Sequence, residues 1–241
     1  GPKGAAGRYG LGAVMGSKNL KAIAAQGSLD IRLAQPQEFL TYFKQQADNL
    51  RQKKWTKTLA RFGTPLLMTA QVESRFLYSR NGLGSYLGEK ARSLYGEKMD
   101  KYSTGMASCA GCLIHCRHRY HIKEGKYAGL RGEGPEFLCL LALGYNLENV
   151  DLESLIYANH LCNRYGLDVG DAGQMITFAI SLYEHELIGR EEVGRSLAWG
   201  DAEAILSLIE DMAHRRGFGD ILADGSFALQ RLHPEAKKHL P

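Results

Sequence analysis

No apolar run in this chain approaches the ~18 residues of a membrane span, so no transmembrane anchor is expected. Charge of one sign is not in excess either. Thirty Lys and Arg stand against 26 Asp and Glu, a formal net charge of +4, and the charges are interspersed. That balance makes no case for nucleic acid or a membrane surface as partner. Internal repeats are absent. The chain opens Gly-Pro-Lys-Gly, with no Met-led apolar stretch, so no secretory signal is read, and the opening reads as an internal boundary of a longer polypeptide. Two phosphate-binding signatures are also missing. The glycines near the start lack the acidic residue of the dinucleotide fingerprint, and the Gly-Lys-Ser/Thr of the P-loop does not occur there.

An even set of cysteines is lacking too. Five cysteines in 241 residues do not suit a disulfide framework, and a reducing, cytoplasmic setting is expected. Their distribution is the most informative feature of the chain. Cys109, Cys112 and Cys116 stand as C-x2-C-x3-C within Ser108-Cys-Ala-Gly-Cys-Leu-Ile-His-Cys-Arg117. Three thiolates on one short loop can face a common point, as an iron–sulfur cluster requires, with a fourth ligand from elsewhere. Ala110 and Gly111 are small enough for backbone N–H groups to approach the sulfurs, and Arg117 and Arg119 would offset thiolate charge. Zinc is the rival, as a Cys3His site completed by His115, His118 or His121. Cys139 and Cys162 lie apart, in apolar helical patterns, where a buried inert thiol is the simpler reading. Cys139 is nevertheless one candidate for a fourth cluster ligand. A cysteine beyond Pro241 is the other.

A hydrophobic content of 44% is enough for an ordinary core, and the expected class is mainly α. Residues 1–27 are glycine-rich with interleaved bases, and Ala22-Ile-Ala-Ala25 suits a short strand. From Pro36, the residues Phe39, Leu40, Phe43, Ala47 and Leu50 recur at helical spacing. Gly63-Thr-Pro65 and Asn81-Gly-Leu-Gly84 mark turns, and residues 66–78 between them suit a helix. Glu133-Gly-Pro135 opens another apolar helix through Leu143. The last third is the most plainly helical. Asp151 suits an N-cap, and Gly166 a C-terminal stop. Further helices are expected over about 172–187, from Asp201 to Gly217 and over about 221–232. The expected division is residues 1–27, then 28–241, with a sub-boundary near 130–150.

Taken in order, these segments resemble the aldehyde ferredoxin oxidoreductase family of tungsten–pterin enzymes. Gly10-Leu-Gly-Ala-Val-Met-Gly-Ser-Lys-Asn-Leu-Lys-Ala-Ile23 is similar to its signature. The cysteine loop resembles its cluster loop, and Gly134-Pro-Glu136 its Gly-Pro-Glu motif. Asn159-His-Leu-Cys-Asn-Arg-Tyr-Gly-Leu-Asp168 and Arg216-Gly-Phe-Gly-Asp-Ile-Leu-Ala-Asp-Gly225 also fit. The resemblance implies multi-helical domains of that type, preceded by a short β or loop remnant of a pterin-binding domain. It implies a 4Fe–4S cluster and a tungsten or molybdenum bis-pterin, and it makes zinc the lesser reading. Roughly the first and last thirds of a full-length member would lie outside this chain, the fourth cluster cysteine among them.

By the same resemblance, Arg8 and the Gly10–Gly12 turn would approach a pterin phosphate, and Asp168 would accept hydrogen bonds from a pterin ring. Glu136 would face the metal site as general acid or base. Each carboxylate has a plainer reading. Asp168 suits a turn or cap, with Asp171 a further cap candidate, and Glu136 suits a helix N-terminus. One departure stands out. The family often reads Gly-Pro-Glu-Tyr-Glu, whereas Phe137 and Leu138 follow Glu136 here, which opens the substrate class. The implied activity is oxidation of aldehydes to carboxylic acids, with electrons leaving through the cluster to ferredoxin or another electron-transfer subunit. The alternatives are the active-site subunit of a ring-reducing aromatic acyl-CoA reductase, or, for the isolated chain, a catalytically inactive helical metal-binding module. A homo-oligomer is compatible with all three.

Overall fold

The structure is a computed structural model that describes residues 4–239. The opening Gly-Pro-Lys and the chain end at 240–241 lie outside the described residues. Helix α1 (Leu11–Ser17) follows a left-handed Gly10, with φ 68°. It lies within the glycine-rich stretch of residues 1–27, for which the sequence reading gives no helix. Ala22 to Ala25 lies in irregular, exposed backbone and joins no strand. The short apolar run has no partner strand within the described residues, so nothing completes a ladder for it.

Helix α2 (Pro36–Gln52) begins with proline, whose fixed φ suits the first turn and whose missing N–H costs nothing there. Helices α3 (Lys54–Phe62) and α4 (Leu66–Glu73) follow. The α3–α4 turn is set by Gly63 at φ 65°, and a Cβ at this position would lie 2.6 Å from the Cys116 carbonyl oxygen. Only glycine lets this turn press so closely on the chain beyond it.

Short 3₁₀ turns then lead into a three-stranded antiparallel sheet in the order β1–β2–β3: β1 (Ser103–Ala107), β2 (Arg117–His121) and β3 (Arg131–Glu133). Ala107 pairs with Arg117, and Arg119 with Glu133. Residues 108–116, with their three cysteines, therefore form the loop of the β1–β2 hairpin. Nothing in the sequence reading anticipates this sheet. Its strands are short, charged and carry glycine, so they show no clean alternation.

Helix α5 (Phe137–Cys139) continues through a π turn, Leu140–Gly144. Helix α6 (Leu152–Tyr165) starts at Asp151, whose carboxylate accepts the Glu153 N–H at 3.1 Å, and stops at Gly166 with φ 75°. Helix α7 (Val169–Glu184) is apolar on most sides and is correspondingly buried. The chain continues through α8 (Arg190–Val193), α9 (Ala202–His214), α10 (Phe218–Ala223) and α11 (Ser226–Leu232). Asp201 caps α9 by accepting the Ala204 N–H at 3.0 Å. The single expected helix over 221–232 is two, broken at Gly225 with φ 82°.

One apolar cluster runs from Met68 to Ala236, with Tyr120, Tyr145 and Phe178 among its largest fully buried side chains. Helix α2 stands apart from it. Its periodic residues Phe39, Leu40 and Phe43 are each about half exposed, and Ala47 is its buried residue. The periodicity gave the helix correctly, but the stripe is not covered by the core.

Candidate functional site: a cysteine hairpin beside a polar cavity

The hairpin loop holds Cys109 exposed, and Cys112 and Cys116 half-buried, all as free thiols. The loop turns tightly. The Cys112 N–H donates to the Cys109 carbonyl at 3.1 Å, and Gly111 and His115 adopt left-handed backbone at φ 72° and 58°. Two donors already address sulfur. The Ile114 N–H lies 3.4 Å from the Cys112 Sγ, and the Arg117 Nη2 lies 3.8 Å from the Cys109 Sγ. Burial, followed by the charge of Glu136, pushes the Cys116 thiol up from its ordinary value. Among the described residues, no three Cys, His, Asp or Glu side chains converge in a metal-ready group. The donor types nonetheless suit a soft metal: three thiols on one loop, hydrogen bonds to sulfur and an adjacent cation.

His118 is not a zinc candidate. It is buried, with Nδ1 3.0 Å from the Ser103 Oγ and Nε2 2.9 Å from the Phe62 carbonyl oxygen. Burial pushes its pKa down, and both ring nitrogens are engaged in joining α3 to the sheet. Cys139 and Cys162 are both buried. Burial raises the Cys139 thiol well above its ordinary value, and it pushes Cys162 up to about 12, with Asp168 adding to the effect. Both behave as small apolar core residues.

Next to the hairpin lies a cavity of about 220 Å³, lined by Arg8, Arg117, Glu133, Glu136, Asn163 and Asp168 among others. Three residues singled out from the sequence, Arg8, Glu136 and Asp168, thus share one wall system. Gly10 lines an adjoining cavity of about 660 Å³, to which Asp168 also contributes. Gly12 lines neither of the two; its N–H donates to the Ala6 carbonyl at 2.9 Å and closes the turn into α1.

The N-terminal segment reaches this place because Gly7 has no side chain. A Cβ there would lie 2.5 Å from the Leu167 carbonyl oxygen. Asp168 serves two ends. Its Oδ1 accepts the Gly170 N–H at 2.8 Å and caps α7, while its Oδ2 lies 3.6 Å from the Arg8 Nε. Asp171, the other cap candidate, sits inside the first turn of α7. The Asp168 side chain is 8% exposed, so its second oxygen faces a restricted space rather than bulk water.

Glu136 is the N-cap residue of α5 but makes no side-chain capping bond. Its Oε1 lies 3.4 Å from the Arg117 Nε, and its Oε2 accepts a short hydrogen bond from the Thr64 hydroxyl. The Thr64 Oγ1 in turn accepts the Phe137 N–H at 3.0 Å. Arg117 also pairs with Glu133 at 3.0 Å. Thr64 went unnoticed in the sequence, where Gly63-Thr-Pro65 gives a turn signal and no chemistry. Leu138, at the position that departs from the family pattern, lines the cavity.

A mainly α body that carries a three-cysteine hairpin next to a cavity of mixed Arg, Asp, Glu and Asn character is the architecture that marks this chain's class. The comparisons with known proteins name it. The family described as aldehyde ferredoxin oxidoreductase, domains 2 and 3, matches residues 41–238, and the chain belongs to that family. Among its relatives, the tungsten-containing aldehyde ferredoxin oxidoreductase of Pyrococcus furiosus is 38% identical over 96% of this chain. The protein of the same name from Thermococcus kodakarensis is 36% identical over 96%. The chain spans 38% of the length of either relative. In fold it is similar to the active-site complex BamBC of benzoyl coenzyme A reductase, with a TM-score of 0.72 and 23% identity over 96% of this chain and 36% of that one.

Proposed function

We propose that this chain is part of a tungsten- or molybdenum-pterin oxidoreductase that converts aldehydes to carboxylic acids. The observation that carries the reading is the junction at Arg117. This one side chain lines the cavity with Arg8, Glu136 and Asp168 and also reaches the Cys109 sulfur. Membership of a family whose relatives are named as tungsten-containing aldehyde oxidoreductases supports it.

The residues present fit the two groups. Cys109, Cys112 and Cys116 would supply three thiolates to a 4Fe–4S cluster. Asp168, through the Oδ2 that also faces Arg8, would accept from ring N–H groups of a pterin, and Arg8 and the Gly10 turn would meet its phosphate. When bound, the pterin-held metal supplies oxygen transfer and two-electron chemistry, and the cluster supplies a one-electron relay. The net reaction takes one aldehyde and one water to a carboxylic acid, two protons and two electrons, and each electron reduces one ferredoxin or equivalent carrier. Glu136 would accept a proton at its carboxylate. The free thiols support a reducing, cytoplasmic setting for it. Among the described residues, no helix is long and apolar enough to cross a membrane.

In the full-length protein, Cys112→Ser should abolish aldehyde-dependent ferredoxin reduction. A Cys112→Ser variant that still reduces ferredoxin at the parental rate refutes the relay.

Leu138 favours a second reading. An apolar side chain on the cavity wall suits a hydrophobic ring, as in ring reduction of an aromatic acyl-CoA. Turnover of aldehydes against aromatic acyl-CoA thioesters separates the two. The isolated 241-residue chain, as distinct from the full protein, is read as an inactive helical metal-binding module. Tungsten or molybdenum bound to that chain alone would contradict this.

A further inference from the structure

The Glu136 carboxylate is held at both oxygens, by one residue of the cysteine hairpin and one residue of the α3–α4 turn that is hydrogen-bonded to it. Arg117 follows Cys116 directly and reaches the Glu136 Oε1 at 3.4 Å. Thr64 donates its hydroxyl to the Glu136 Oε2, while its own N–H donates to the Cys116 carbonyl at 3.3 Å. Gly63 next to it admits this contact only because it lacks a Cβ. The Thr64 hydroxyl is itself aimed by the Phe137 N–H, which occupies one of its lone pairs at 3.0 Å. Glu136 remains 42% exposed on its side chain, so the clamp fixes its direction without closing it off.

We infer that Thr64 and Arg117 are positioning residues that set the orientation of Glu136 from the cysteine hairpin, so that the proton-handling carboxylate is placed only when the cluster loop is in its native shape. The inference rests on the proposed role of Glu136 and adds to it the device that aims the carboxylate. A fork-shaped guanidinium can serve Glu133, Glu136 and a sulfur together, which a lysine cannot.

The test uses the full-length protein. Thr64→Val removes the hydroxyl at nearly constant shape, and Thr64→Ser restores it. Thr64→Val should lower kcat at least about tenfold with KM held within about twofold, and Thr64→Ser should recover most of the loss. The infrared carboxylate stretch of Glu136, assigned by difference against Glu136→Gln at one fixed pH, should shift in Thr64→Val and Arg117→Lys but not in Thr64→Ser. Removing iron by chelation should shift the same band in the parent. An unshifted band in Thr64→Val, parental kcat in that variant, or a band indifferent to iron removal overturns the inference. A parent that turns over neither aldehydes nor aromatic acyl-CoA thioesters sinks the functional reading alone, and the infrared band then still decides whether Glu136 is clamped.

Discussion

Glu148 adopts left-handed backbone at φ 59° and still accepts from the Ser79 Oγ at 2.9 Å and the Arg80 Nε at 2.8 Å. Burial acts to raise its pKa, but the bonds from Arg80 and Ser79 outweigh burial and hold it below the ordinary 4.5. A carboxyl depressed in the folded state binds its proton more readily when unfolded. Its contribution is therefore fully present above about pH 4.5 and is lost as pH falls through the folded value. Urea unfolding across the acid range should show Glu148→Gln with a flatter loss of stability than the parent; equal slopes would remove Glu148 from that account. His118 makes a different case. His118→Leu leaves the Phe62 carbonyl without its partner, at a cost of about 1–3 kcal/mol, which chemical denaturation would read. The core thiols Cys139 and Cys162 were legible in the sequence because their apolar helical setting is local. The role of His118 was not, because its partners Ser103 and Phe62 are brought to it by the sheet and by α3.

Among the elements, the helix ends were the most legible. Asp151, Gly166 and Asp201 sit where side-chain capping and glycine stops predict, because those signals act within one turn. Asp168 was left between cap and ring ligand, and the structure gives it the cap through Oδ1, while Oδ2 lies 3.6 Å from the Arg8 Nε on the cavity wall. The two tasks can be separated. Asp168→Asn should keep the cap and cost little stability, whereas Asp168→Ala should cost about 1 kcal/mol, and both should lower pterin content in the full-length protein. Equal stability loss in the two variants would contradict the capping assignment. The hairpin has its own test. Gly63→Ala meets both a left-handed φ and the Cys116 carbonyl, so it should destabilise by about 1–3 kcal/mol and reduce iron content in parallel. Unchanged iron would show that the α3–α4 turn does not support the cysteine loop. The sheet that carries this loop was illegible, since strands of three to five residues rich in Arg, His and Gly offer no periodic signature.

For the whole molecule, the order of motifs along the chain becomes proximity in space. Arg8, Arg117, Glu136 and Asp168 are far apart in sequence yet line one cavity. The N-terminal segment is tied in at the Gly7–Leu167 contact, the hairpin at the Gly63–Cys116 contact, and α6 and α7 meet at Asp168. Spacing alone could mark the three cysteines as candidate ligands of one group. It could not show that their loop is the tip of a hairpin whose next residue reaches into the cavity. The central claim is that this hairpin holds an iron–sulfur cluster at that junction. Iron, acid-labile sulfide and zinc measured together on the anaerobically purified full-length protein test it most directly. The account predicts about four iron and about four sulfide per chain, with zinc at background, and stoichiometric zinc without sulfide would contradict it.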